Sequence, residues 1–312
     1  MSGKEIIDWL LEGDVSIQFQ VHRDLLNTER KDLQVRIATE GWGAQYLSRR
    51  RSDGHWGMKF YQPKWTSSHY TLLDLRNICI APDCKEIQDT LEMIVSTEKG
   101  PDGGIRPIGT VQASDVCING MFLNYASYFR TAEDKLESVV DFILSQTMPD
   151  GGFNCMSNRS GAIHSSLHTT LSVLEGITEY ERNGYQYRLN ELRLAHQSSV
   201  EFILIHQLFL SDRTGKIIKK DFLRLPFPGR WRYDILRALD YFQYGQLDRD
   251  ERMNPALEVL MKKRNRDKTW NVQARHPGQV HFEMEKAGKP SRWNTLRALR
   301  VLKHFKPDGS NE

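Results

Sequence analysis

The chain has 312 residues, with 43 Lys plus Arg against 40 Asp plus Glu, a formal net charge of +3, and 39% hydrophobic residues. This is an ordinary globular composition, too apolar for a disordered chain and long enough to bury a core without disulfides or metal. The near balance of charge excludes a nucleic-acid protein that relies on overall basicity, and no apolar run approaches the ~20 residues of a membrane span.

In chain order, the opening MSGKEIIDWLLEGD carries acids where a signal peptide would need a clean apolar stretch, so a cytoplasmic protein is expected. A short amphipathic helix is predicted over 4–12, then an apolar helix at 18–26 (QFQVHRDLL) and a charged, one-faced helix at 32–50. The turn SDGHW (52–56) precedes an apolar helix at 67–75 and an amphipathic one at 85–98. PDGGI (101–105) introduces helices at 115–129 and 133–146, and PDGGF (149–153), 48 residues after it, introduces helices at 166–180 and 190–210. DRTGK (212–216) and RDKTW (266–270) are weaker versions, followed by helices at 230–242 and 291–305, with 250–263 between them. Each Asp-Gly pair is a turn signal, since Gly accepts a positive φ that other residues resist. The tail KPDGSNE (306–312) is polar and expected to fray.

The period is thus helix, turn, helix, six times over, with one helix of each pair mostly buried and almost free of acids, and no strand run outside the turns. Repeats of unequal length and an apolar last helix favour closure over an open solenoid, which tends to carry polar caps. The fold expected is all-α, an (α/α)6 toroid of six helical hairpins, with 1–305 a single domain and 306–312 a tail. Aligning the inner helices places His22, His69, Cys117, His168, Tyr233 and Trp293 at one equivalent position near the helix start. In a closed toroid with parallel inner helices these residues gather at one mouth.

The DGG turns, the six-pair period and the inner helices resemble the terpenoid cyclase and protein prenyltransferase superfamily, over essentially the whole chain. The stretch EKAGKPSRWNTLRALRVLKHF (285–305) is similar to the ending of bacterial prenyltransferase or squalene-cyclase repeat proteins. Class II terpene cyclases protonate their substrate with an Asp-x-Asp-Asp motif, which this chain lacks. Protein prenyltransferases hold zinc with an Asp-x-Cys pair opening one inner helix and a His opening the next. Asp115-Val116-Cys117 and His168 match that pattern in order, so the resemblance implies Zn2+ held by Asp115, Cys117 and His168, with Cys155 or His164 as a fourth ligand. The basic residues that precede the Asp-x-Cys pair in those enzymes are missing from IGTVQAS (108–114), and the partner subunit they require leaves no trace in the sequence.

Other residues extend the expected site. His164 lies four before His168, a chelating spacing if both share one helix. His22 and His69 are candidate substrate contacts, and Arg230, Arg232, Lys289 and Arg292 form a candidate anion site beside the last two inner-helix starts. Trp56, Trp65, Phe153, Trp231, Tyr233 and Trp293 offer aromatic walls for an isoprenoid-like or other small-molecule substrate. Cys79 and Cys84 read as structural thiols. The functional expectation is a zinc-dependent, prenyltransferase-like transferase or hydrolase acting on an apolar substrate with an anionic group. Two alternatives stay open: a non-catalytic lipid- or peptide-binding toroid, and a carbohydrate-active (α/α)6 enzyme with Asp115 and Asp234 as its carboxylates.

Overall fold

The computed structural model describes residues 1–305; the polar tail predicted at 306–312 lies outside the described residues. The first pair is α1 (Gly3–Leu11) and α2 (Val15–Asp24), α1 opening on a capping box in which Ser2 and Glu5 satisfy each other's backbone N–H groups. The helix predicted at 32–50 is instead two, α3 (Lys31–Arg36) and α4 (Gly41–Leu47), because the chain turns between them and the Asp14 carboxylate takes the Trp42 N–H at 2.8 Å. The following pairs are α5 (Ser68–Asn77) with α6 (Lys85–Thr97), and α7 (Val116–Tyr128) with α8 (Glu133–Ser145). After the short α9 (Ser157–Ser160) come α10 (Leu167–Arg182) with α11 (Leu189–Ile205), α12 (Ile235–Tyr244) with α13 (Asn254–Lys262), and α14 (Arg292–His304). The only strands among the described residues are Trp270–Asn271 paired with Pro290–Ser291.

The inner helices α2, α5, α7, α10, α12 and α14 run parallel, as contacts between neighbours at matching heights show. Asn124 donates to the Glu175 carbonyl at 2.9 Å, Thr178 meets the Tyr241 hydroxyl at 2.9 Å, and Arg297 reaches Asp240 at 2.8 Å. The ring closes where Arg300 on α14 donates to Gln20 on α2 at 3.0 Å, and Gln20 in turn donates to the Asn77 carbonyl at the end of α5 at 3.3 Å. The expected toroid is therefore the observed one. Among the described residues no helix is long and apolar enough to cross a membrane.

The Asp-Gly turns repeat one job. Gly103 and Gly151 adopt φ of 84° and 91°, and a Cβ on either would sit 2.9 Å from a carbonyl oxygen, of Ser138 on α8 and Ser198 on α11. Asp102 accepts the Ser114 N–H at 2.7 Å and Asp150 accepts the Ser165 N–H at 2.8 Å, so each turn seats on the next outer helix and anchors the lead-in to the next inner one.

Inner helices α7 and α10 cross at close range. A Cβ on Gly176 would lie 2.4 Å from the Gly120 carbonyl oxygen, and one on Gly120 would lie 2.7 Å from that of Ser172. Both obstacles are backbone, which cannot swing aside. Gly176→Ala is therefore expected to lower stability by about 1–3 kcal/mol through overpacking, although alanine is favoured over glycine in a helix by about 1 kcal/mol. Urea unfolding would read it; an unchanged or raised midpoint would show that the crossing is not tight.

Candidate functional site

At the N-terminal ends of the inner helices the structure gathers only part of the expected set. Asp115 is the N-cap residue of α7, its pKa raised by burial, and its carboxylate pairs with Arg159 at 3.0 Å. The Cys117 N–H donates to Cys155 Sγ at 2.9 Å and the Thr169 hydroxyl lies 3.5 Å from the same sulfur, so the two thiols are neighbours. His168 opens α10, but its Nδ1 accepts the Tyr233 N–H at 2.8 Å and its ring stands between Phe222 and Trp231. Burial, aided by Lys219, Arg237 and Arg232, pushes its pKa down to about 3, so the imidazole is neutral. His164 precedes α10 and is exposed, so it does not share a helix face with His168. Among the described residues no group of three or more His, Cys, Asp or Glu side chains could hold a metal ion. The donor set does not fit zinc: two thiols meet, while the carboxylate and the imidazole are each turned to other partners.

The aligned series holds for four helices. His69, Cys117, His168 and Trp293 are each the second residue of an inner helix. His22 instead lies in the last turn of α2, bonded to Thr28 at 2.8 Å, and Tyr233 lies before α12, its hydroxyl donating to the Leu208 carbonyl at 2.6 Å. His69 is fully buried on the Tyr125 hydroxyl at 2.9 Å, with its pKa pushed down to about 3 by burial. Trp293 stacks on Phe227 with ring centres 4.5 Å apart. Arg292 donates to the Trp9 carbonyl at 2.7 Å and pairs with Glu12, which clamps α14 to α1 rather than joining Arg232.

This mouth is also closed. The segment Phe227-Pro228-Gly229-Arg230 lies across it, and Arg230 pairs with Asp74, buried beneath and also held by the Tyr46 hydroxyl at 2.8 Å. Trp65 donates to the Pro277 carbonyl at 2.6 Å, and Thr71 meets His281 at 2.9 Å, so a second loop is pinned over the first.

The ring opens at the opposite end. A central cavity, floored by the 227–230 segment, leads to a vestibule of about 570 Å3 at the C-terminal ends of α2, α12 and α14, sharing Arg23, Tyr244 and Arg300 with it. The cavity is lined by six guanidiniums, Arg23, Arg76, Arg230, Arg237, Arg297 and Arg300. Each has a carboxylate: Arg237 on Glu175, Arg76 on Glu179, Arg297 and Arg300 on Asp240, and Arg23 with Arg300 on Asp24. Tyr244 lies between Arg182 and Arg76, 4.1 and 5.0 Å from its ring, and its hydroxyl donates to Glu179 at 2.9 Å. Burial works against the charged form of Asp240, but Arg300 and Arg297 outweigh it and hold the carboxyl below its ordinary range. Asp234, the N-cap of α12, accepts the Arg237 N–H at 2.8 Å and has its pKa raised by burial to about 6. It lines the cavity; Asp115 does not.

The sequence reading missed most of these groups because it treated the inner helices as nearly acid-free. A signal was present. Glu175 and Glu179 are four apart, Arg237 and Asp240 three apart, and Arg297 and Arg300 three apart, each on one face of an otherwise apolar helix.

No protein-family model and no curated protein matches the chain. Among solved structures a polysaccharide lyase aligns with a TM-score of 0.54 and 12% identity, covering 97% of each chain. A type II terpene cyclase from Scytonema, bound to merosterolic acid A, aligns with a TM-score of 0.36 and 11% identity over 90% of this chain and 97% of that one. The first likeness shows the toroid fold.

Proposed function

We propose that the protein is a carbohydrate-active toroid that takes the end of a uronate-bearing saccharide into the central cavity and cleaves it by elimination. The observation that carries this reading is the lining. An isoprenoid chain would strip water from six guanidiniums and their carboxylates without offering one hydrogen bond, a penalty of order 1–3 kcal/mol per unsatisfied group. A saccharide offers a donor or acceptor to nearly every group there, and fixed Arg–carboxylate pairs, Asn77, Asn124 and Tyr244 suit ring hydroxyls. At the vestibule Arg182 and Lys303 form no ion pair among the described residues, so an incoming chain meets excess positive charge. The likeness to a polysaccharide lyase supports the reading at the level of fold.

Of the two cations that act on Asp234, Arg237 is taken up by Glu175, whereas Arg297 bonds Asp240 through Nε alone among the described residues, so its terminal nitrogens are placed to pair with the uronate carboxylate, which acidifies the adjacent C–H. Ionised Asp234 takes that proton, the bond to the leaving oxygen breaks as the C=C bond forms, and Asp234 returns the proton to the oxygen. A pKa of about 6 suits both halves of this exchange. The test is incubation with polygalacturonate, alginate and hyaluronan, following the ultraviolet absorbance of the unsaturated product and the release of reducing ends. Absorbance rising with one of them is the expected result. New reducing ends without absorbance would replace elimination by hydrolysis, and no change with any would sink the reading.

A further inference from the structure

On the closed face, apart from the central cavity, a pocket of about 220 Å3 lies between the start of α10 and the loop leading to α12. Its charged groups are Lys219, Arg232 and Asp221, with His168 and His276 facing them. Asp221 lies 3.5 Å from Arg224 and is thereby engaged. Neither Lys219 nor Arg232 has an ion-pair partner among the described residues, and no hydrogen bond from either side chain is present. Both imidazoles are neutral, burial pushing His168 to about 3 and His276 to about 4, so the positive charge belongs to Lys219 and Arg232. Arg232 Nε, Trp231 Nε1 and His276 Nε2 are buried without a partner among the described residues. Buried orphan polar atoms are rare in native proteins, and here three lie around one pocket. Every guanidinium of the central cavity, by contrast, has its carboxylate.

We infer that this pocket is a second ligand site, for a small molecule bearing an oxyanion on a flat body. Lys219 and Arg232 hold the anion, while Phe222, Trp231 and Tyr233 supply aromatic walls. Nothing in this argument depends on the saccharide reading, which concerns the other end of the ring.

Isothermal titration with phenyl phosphate, benzoate, inorganic phosphate and uncharged phenol tests it. Phenyl phosphate or benzoate should bind one to one, with phenol failing to bind; which of the two binds tighter separates a phosphate from a carboxylate ligand. Arg232→Gln and Lys219→Gln should each weaken binding at least about tenfold, the scale of one charge-assisted hydrogen bond. Lys219 is exposed, so its variant folds even if Arg232→Gln does not. Lys303→Gln, in the vestibule, should leave binding unchanged. Absence of binding by any anionic probe would overturn the inference. So would binding that survives Lys219→Gln but is lost in Lys303→Gln, since the anion would then sit in the vestibule.

Discussion

Replacing Asp240 by alanine is expected to lower the free energy of unfolding by about 3–5 kcal/mol, the cost of leaving a buried charge without its partner. The carboxylate lies on the inner face of α12, 9% exposed, and receives Arg297 at 2.8 Å as well as the fork of Arg300. Removing it leaves two cations facing each other, Arg300 keeping only Asp24 and Arg297 only the more distant charge of Asp234. The sign of the pH dependence follows from the direction of the shift. Asp240 has a folded pKa below its unfolded one, so its contribution is fully present above the unfolded value near 3.9 and is lost as pH falls through the folded value. Wild type and variant should therefore differ widely at neutral pH and converge in acid. Urea unfolding at both extremes measures this. Asp89→Ala, which breaks an exposed pair with Lys85, should change nothing measurable. A loss below about 1 kcal/mol for Asp240→Ala at neutral pH would mean that water already screens the pair.

The same charges explain why the cavity survives. Six parallel helices in a ring leave a hole that apolar side chains of one helix cannot fill from the rim. Arginine spans the gap, and a carboxylate on the neighbouring helix receives it, as Arg237 to Glu175 and Arg297 to Asp240 do between successive inner helices. Ion pairs between neighbours thus tie the ring together around a polar lumen.

The period of helices was legible because it is carried by local patterns: apolar spacing, Asp-Gly turns and caps. The shared second position of His69, Cys117, His168 and Trp293 was legible for the same reason. The alignment slipped at His22 and Tyr233, where α2 starts earlier and α12 later than apolar patterning suggests. The deeper miss was which mouth is open. Loops 206–234 and 263–291 have no periodicity, and what they do depends on contacts such as Trp65 with Pro277, 212 residues apart in the chain. Those loops cover the end where Cys117 and His168 lie, so the central cavity opens at the far end of the same helices. Glu175, Asp240 and Arg300 were visible as letters, but only ring closure turns an inward charge on one helix into a partner for the next.

Asp234→Asn is expected to lower kcat by about 100- to 10,000-fold on the uronate substrate, the range contributed by a positioned proton-transfer group, with KM little changed. Asparagine keeps the size of the side chain and an oxygen to accept the Arg237 N–H, so the cap of α12 survives while the titrating proton is removed. The wild-type pH profile gives a second, independent reading. Asp234 must be ionised to take the first proton, so kcat/KM should rise with pH through a limb near the free-enzyme value of about 6. The position of that limb reflects burial, which raises the pKa, against Arg297 and Arg237, which lower it. Arg297→Lys keeps the positive charge but loses the Nε–H that pairs with Asp240, so it should weaken positioning and move the limb less than removal of the charge would. Full activity in Asp234→Asn, or a profile flat between pH 5 and 7, would take the proton-transfer role from Asp234. Saccharide binding measured on the same variant would then show whether the cavity still holds its ligand, separating a wrong base from a wrong site.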